Sequence, residues 1–219
     1  RASPDGRYAI YDLRATDWAA DKGVHSLWIV DLAAKTPQPR QLAISEGGVG
    51  SARWSADGKF IYFISSRSGS DQVWRTTPEG ATATQVTNLP LDVGAFRLSP
   101  DGKSVVVGLA VYPDCPTLQC TLDRNAQPKK PSGKLYDKMF ARHWDQWADG
   151  TRNHLFALPL NADGTTGAAV ELTPGLDGDI PTKPFGGDDD FTVTPDGKSV
   201  IFSVRIAGTS EPWSTNFDL

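Results

Sequence analysis

The chain of 219 residues sets 22 Lys and Arg against 26 Asp and Glu for a formal charge of −4, and it is 39% hydrophobic with 10% aromatic residues. A charge this small and this evenly spread offers nucleic acid nothing to hold, and no basic run exceeds Lys129-Lys130. No apolar stretch approaches the roughly 18 residues that cross a bilayer, so neither a nucleic-acid nor a membrane partner is expected, while the size suits one or two domains with a substantial core.

One turn sequence returns along the chain: Ser3-Pro4-Asp5-Gly6-Arg7, Ser55-Ala56-Asp57-Gly58-Lys59, Ser99-Pro100-Asp101-Gly102-Lys103 and Thr194-Pro195-Asp196-Gly197-Lys198. Pro pre-sets φ for a type I turn, Asp bonds back to its own backbone, and Gly takes the positive-φ position that closes a hairpin. An apolar, β-prone run follows each copy, and short alternating runs precede those at Ser55, Ser99 and Thr194, so each turn joins two antiparallel strands. The first copy opens the chain almost without a preceding strand, and the lack of an initiator Met suggests a processed or excised piece. Tyr8–Leu13 then reads as a strand, followed by a polar connection, a strand at His25–Leu32 and a short one at Arg40–Ala43. The second unit shows the whole plan, with strands at Gly50–Ser55, Lys59–Ser65, Asp71–Thr77 and Thr84–Thr87. In the third unit, Ala95–Leu98 and Val105–Val107 are separated by a long excursion from His154–Leu158 and Ala169–Thr173.

That excursion, roughly 110–150, reads as an insertion: a Gln127–Gly133 linker, then a helix over Lys134–Ala148 capped by Ser132, with Tyr136, Phe140, Trp144 and Trp147 on one side. The fourth unit starts at Asp190–Thr194. Pro212 makes Trp213 a poor interior-strand residue, so the third strand of that unit is expected to begin at Asn216–Leu219. Successive turns lie 52, 44 and 95 residues apart. Four antiparallel strands in about 45 residues, repeated edge to edge, are the signature of a propeller blade. The fold class is therefore all-β, a partial β-propeller of about four blades at 1–45, 46–90, 91–174 and 186–219, the first and last incomplete, with a helical insertion. Four such blades do not close a ring, and an open stack bares a sheet at each end, which points to a larger propeller.

Strand alternation puts the second-to-third and blade-to-blade connections on one face of the disc. The insertion and the Gly175–Asp190 segment both emerge there, and loops of more than about 12–15 residues usually carry function or disorder. For the helix there are two readings: the aromatic stripe docks it on the propeller, or Arg142, His143, Trp144, Asp145 and Trp147 surround a pocket that grips a cation by charge and by cation–π contact. The carboxylates of Asp177, Asp179 and Asp188-Asp189-Asp190 do not follow the EF-hand order and are read as solvated turn residues, with no metal expected. His25 and His154 are read as edge-packing residues at the starts of third strands. Cys115 and Cys120 lack the further ligands of a zinc site; a small-loop disulfide is preferred to free thiols and implies an oxidising compartment. No Gly-x-Ser-x-Gly elbow, Cys/His pair, phosphate-cradling loop or zincin motif occurs, so neither bond-breaking chemistry nor a cofactor is expected within this chain.

The repeated turn with its aromatic third strand resembles the TolB-like propellers. The run from Lys134 to Trp147, followed by Arg152-Asn153-His154-Leu155-Phe156, resembles the propeller of the prolyl oligopeptidase family (S9), and within it the bacterial dipeptidyl peptidase and acylaminoacyl peptidase branch. Asp179-Ile180-Pro181, Lys183–Gly187 and Glu211–Asn216 are similar to the next blade of those enzymes. The resemblance implies a propeller that covers an α/β-hydrolase domain carrying a Ser-Asp-His triad, admits short peptides and, in dipeptidyl peptidases, grips the free amino terminus with acidic residues on an inserted helix. Carried onto this sequence, that role falls to Asp145, with Trp144 and Trp147 as walls. The implied partners are the hydrolase domain of the same parent chain and a short peptide, with homo-oligomerisation left open. The implied location is periplasmic or secreted. A non-catalytic TolB-like protein-interaction propeller is the alternative, and a lectin or calcium-dependent module a third.

Overall fold

The computed structural model describes residues 1–128, 133, 135–136, 139, 141–143 (the backbone only of His143) and 146–219. Each Asp-Gly turn closes on itself through one hydroxyl. The Ser3, Ser55, Ser99 and Thr194 hydroxyls donate to Asp5, Asp57, Asp101 and Asp196 at 2.6–2.7 Å. Each also accepts the N–H of the residue five places on, at 2.8–3.0 Å. The same aspartates accept the N–H of Arg7, Lys59, Lys103 and Lys198, and the glycines sit at φ 70–71°, where an L side chain is strained. The hydroxyl bond, then the backbone N–H, holds each of these carboxyls below the usual aspartate value.

From these corners the chain builds four sheets in order. The first contains β1 (Tyr8–Asp17), β2 (Lys22–Asp31) and β3 (Arg40–Gln41), with an isolated Ala2–Ala9 bridge where a preceding strand would run. The expected polar connection after Leu13 is instead strand: β1 and β2 pair without a break from Tyr8–Asp31 to Asp17–Lys22. Alternation continues through this arm, and His25 Nδ1 meets Asp12 across the strands at 3.0 Å, so His25 is a hydrogen-bonded surface residue rather than a packing one.

The second sheet is β4 (Gly50–Trp54), β5 (Ile61–Ser65), β6 (Gln72–Thr76) and β7 (Thr84–Gln85), in that spatial order. The third begins with β8 (Val93–Leu98) and β9 (Ser104–Val111). After it comes the insertion, with α1 (Leu118–Ala126), β10 (Arg142–His143) and β11 (Gln146–Trp147). The third sheet resumes with β12 (Arg152–Pro159) and β13 (Val170–Glu171), in the order β13-β12-β9-β8. The fourth consists of β14 (Phe191–Val193) and β15 (Val200–Phe202). A 3₁₀ turn over Gly208–Trp213 absorbs Pro212, and Asp218 then bridges Val204 with bonds of 2.9 Å in both directions.

Successive sheets pack face to face through three apolar clusters, each centred on a wholly buried phenylalanine: Phe63 between the first and second, Phe96 between the second and third, Phe191 between the third and fourth. Burying one such ring contributes about 1.5–3 kcal/mol. The sheets do not close into a ring. The unpacked face of the first carries Tyr11, Leu13 (44% exposed) and Val24 (48%), and that of the fourth carries Ile201 (50%).

The insertion is helical, but not where the aromatic spacing predicted. Arg142–His143 pairs antiparallel with Gln146–Trp147, so among the described residues of 134–148 these are strand and not helix. The helix lies earlier, at Leu118–Ala126, where Thr117 caps it by accepting the Cys120 N–H at 3.2 Å. A Cys115–Cys120 disulfide ties its first turn to the end of β9's extension.

Candidate functional site

The connections that share one face of the stack meet at Arg152, the first residue of β12, where the insertion returns to the sheet. Its Nε donates to Asp177 Oδ1 at 2.9 Å and its Nη1 to Asp179 Oδ2 at 2.9 Å. Nη1 and Nη2 also fork onto the two oxygens of Glu211, each at 3.3 Å. One guanidinium at the return of the insertion thereby holds two further excursions, and its rigid donor fork suits several carboxylates at once. Burial works against its charge, but the bonds and charges of Glu211 and Asp179 outweigh that and hold Arg152 above the usual arginine value.

Each partner is itself positioned. Arg205 Nη2 donates to Glu211 at 3.3 Å and its Nη1 to the Ser214 carbonyl at 3.1 Å. Asp179 is buried and accepts the Asn153 N–H at 2.8 Å, while Lys183 Nζ stands 3.5 Å from it and donates to the Thr151 carbonyl. Asp179 is thus a paired interior group, not a solvated turn carboxylate. Asp188 is also paired, with Arg53 and Arg97. Among the described residues no group of His, Cys, Asp and Glu could hold a metal ion.

The Gly175–Asp190 segment is not one free connection. Ile180, wholly buried, donates its N–H to Asn153 O at 2.7 Å, as Val93 does to Asp71 O at 2.8 Å in the preceding sheet. Asp179 likewise repeats Asp92, which accepts the Asp71 N–H. The segment is therefore anchored at Asp179-Ile180, and only Pro181–Asp189 loops out before β14. In the same repeat position as Gln72, His154 is 0% exposed: Nε2 donates to the Leu176 carbonyl at 2.8 Å and Nδ1 meets Glu171 at 2.6 Å. It is a hydrogen-bonded interior residue that ties the third strand to the connection, rather than an edge-packing one.

Of the five residues expected to surround a pocket, the structure brings Arg142 and Trp147 together. The guanidinium lies 5.3 Å from the indole centroid, and Tyr136 stacks on the same indole at 5.7 Å. Trp144, Asp145 and the side chain of His143 lie outside the described residues, as does Phe140 of the expected stripe. Sequence reasoning did not single out Arg152, Arg205 or Glu211; their only signal was that Arg152 and Glu211 open two of the segments carrying the family resemblance.

Radially stacked antiparallel sheets with Asp-Gly corners on one face and long connections on the other define a portion of a TolB-like β-propeller. Its fold matches TolB from Acinetobacter baumannii, with a TM-score of 0.54 and 20% identity over 94% of this chain and 37% of that one. It also matches the Pyrococcus horikoshii acylaminoacyl peptidase, with a TM-score of 0.54 and 13% identity over 90% and 26%. No family model matches the chain. Two curated relatives run along nearly all of it: dipeptidyl-peptidase 5 of Porphyromonas endodontalis, 28% identical over 220 residues (99% of this chain, 30% of the relative), and that of Porphyromonas gingivalis, 29% identical over 218 residues (99% and 31%). These likenesses support a propeller portion of the S9 peptidase type, and the chain spans about a third of the length of these relatives.

Proposed function

We propose that the chain is the substrate-gating and substrate-binding propeller portion of an exported serine exopeptidase of the dipeptidyl-peptidase or acylaminoacyl-peptidase type. The nucleophile and its triad would lie on an α/β-hydrolase domain elsewhere in the parent protein, and the substrate would be a short peptide. The observation that carries this reading is the near-complete match to two dipeptidyl-peptidase 5 sequences about three times as long. Two features of the molecule support it. The long connections gather on one face around Arg152, where a peptide-admitting surface would be built, and the apolar faces of the first and fourth sheets stand open for further blades. The Cys115–Cys120 disulfide supports a periplasmic or secreted location. The TolB likeness keeps a second reading in place, a non-catalytic propeller that binds another protein.

Cleavage of chromogenic dipeptides with a free α-amine, beside their N-acetylated counterparts, by the full parent protein separates these readings. A dipeptidyl peptidase prefers the free amine, an acylaminoacyl peptidase prefers the blocked one, and turnover of neither favours the protein-binding propeller. In the first case Asp145→Asn is expected to raise KM for free-amine substrates about tenfold or more, the worth of a charged hydrogen bond; an unchanged KM removes Asp145 as the anchor.

A further inference from the structure

Arg1, Arg53 and Arg97 occupy one position of the repeat, two places before the serine of an Asp-Gly turn, where the fourth copy has Thr192. Arg53, Arg97 and Thr192 lie on β4, β8 and β14, the first strands of their sheets, and Arg1 lies beside the Ala2–Ala9 bridge that stands in place of one; these segments run beside one another, since Trp54 Nε1 donates to the Arg1 carbonyl at 3.3 Å, β4 contacts β8, and β8 contacts β14. In a radial stack the repeated position on adjacent innermost strands brings successive side chains around the central channel. The arginines therefore face a common space. Burial, then the charges of Arg1 and Arg97, push Arg53 down to about 10, still a cation at neutral pH, and burial followed by Arg1 lowers Arg97 as well.

Arg53 and Arg97 are partly withdrawn from water, and like charges so placed need an anion, which one short loop supplies. The Pro181–Asp189 excursion delivers Asp188, whose carboxylate pairs with Arg53 and stands 3.9 Å from Arg97 Nε, while Arg97 Nε donates to the Asp188 carbonyl. The Asp189 charge acts on both arginines in the same favourable sense. The pairing is incomplete: Arg53 Nε is buried with no partner among the described residues, although Nη1 reaches the Ala52 carbonyl at 2.8 Å. The loop is closed by its own short bonds, Gly186 N–H to the Thr182 carbonyl at 2.6 Å and Thr182 N–H to Asp190 at 2.8 Å, and Lys183 and the Asn153 amide fasten its start to the third sheet.

We propose that Arg53 and Arg97 form a carboxylate-binding position on the axis of the propeller, which Asp188 fills from within, and that its external ligand is the free C-terminal carboxylate of a short peptide. The guanidinium fork matches a planar carboxylate, the internal occupant is itself one carboxylate on one short side chain, and the position lies where a peptide passing along the channel would meet it. The carboxylate-binding position rests on the stacked strands and the Asp188 contacts, whereas the choice of a peptide as its external ligand rests on the proposed function, so the position can stand where that reading fails.

Calorimetric titration at low salt tests it, using the chain and its Asp188→Asn variant with N-acetyl-Ala-Ala as the free acid, the same peptide as its C-terminal amide, and inorganic phosphate. The variant is expected to bind the free acid at least about tenfold more tightly than the unaltered chain does, to prefer acid over amide by a similar factor, and to lose both gains when Arg97→Gln is added. Equal binding of acid and amide, or no gain over the unaltered chain, overturns the site; phosphate bound as tightly as the acid overturns the carboxylate assignment. Should the variant fail to fold, the Nε–H resonances of Arg53 and Arg97 in the unaltered chain carry the test. The free acid at high concentration is expected to shift them and the amide is not, and identical spectra overturn the proposal.

Discussion

The two faces of the stack are built on different length scales. On the turn-bearing face each corner satisfies itself within five residues, through one hydroxyl, one carboxylate and one glycine, and the pattern recurs four times with bond lengths that differ by at most 0.2 Å. On the loop-bearing face the bonds of Arg152 reach residues 25, 27 and 59 positions away. A corner that needs nothing beyond itself can be copied around a propeller without altering its neighbours. A hub that needs three excursions is specific to one place, and there the individuality of the protein resides.

Loss of the scaffold common to both faces has the largest expected effect. Phe96→Ala, in the cluster between the second and third sheets, is expected to cost about 3–5 kcal/mol in denaturant unfolding. A cost below about 1 kcal/mol would mean that the sheets do not depend on this contact. Arg152→Met separates the faces. It leaves buried Asp179 and partly buried Glu211 short of their cation, and the expected loss is about 2–3 kcal/mol, below that of a fully buried pair because Arg152 retains some exposure. The smallest effect belongs to a single corner: Ser99→Ala is expected to cost about 1 kcal/mol, the worth of its hydroxyl bonds, and to leave the other three corners unchanged by NMR.

The same corner carries a pH signature. The Ser99 hydroxyl, then the Lys103 N–H, lowers the folded-state value of Asp101 below 3.8, so its contribution is complete above that value and is lost as pH falls through the lowered one. In Ser99→Ala the Asp101 titration is expected to move up toward 3.8, read by carboxyl NMR. A titration that does not move would break the link between hydroxyl and carboxylate.

Legibility followed the same division. The second sheet could be read nearly strand for strand, because Asp57-Gly58 fixes its first corner and short polar turns bound every run. The first hairpin was read too short: Arg14 and Thr16 look like a polar connection in one dimension, whereas they alternate with Leu13 and Ala15 across a strand. The aromatic run at Tyr136–Trp147 imitated a helical stripe, and the real helix escaped because Thr121 is its only buried residue, leaving no apolar period to detect. Arg1, Arg53 and Arg97 stand at a constant offset from the first three turns, yet the meaning of that offset needed the strands side by side. The Arg152 hub left no periodic trace, since its partners are related by topology alone.

Amide hydrogen exchange of the chain before and after Arg152→Met measures most directly whether one guanidinium organises the loop-bearing face. The expected result is lost protection at the Ile180 and Val204 amides, with the Gly58, Gly102 and Gly197 amides of the corners unchanged. Uniform loss across both faces, or no loss at Ile180 and Val204, would contradict it.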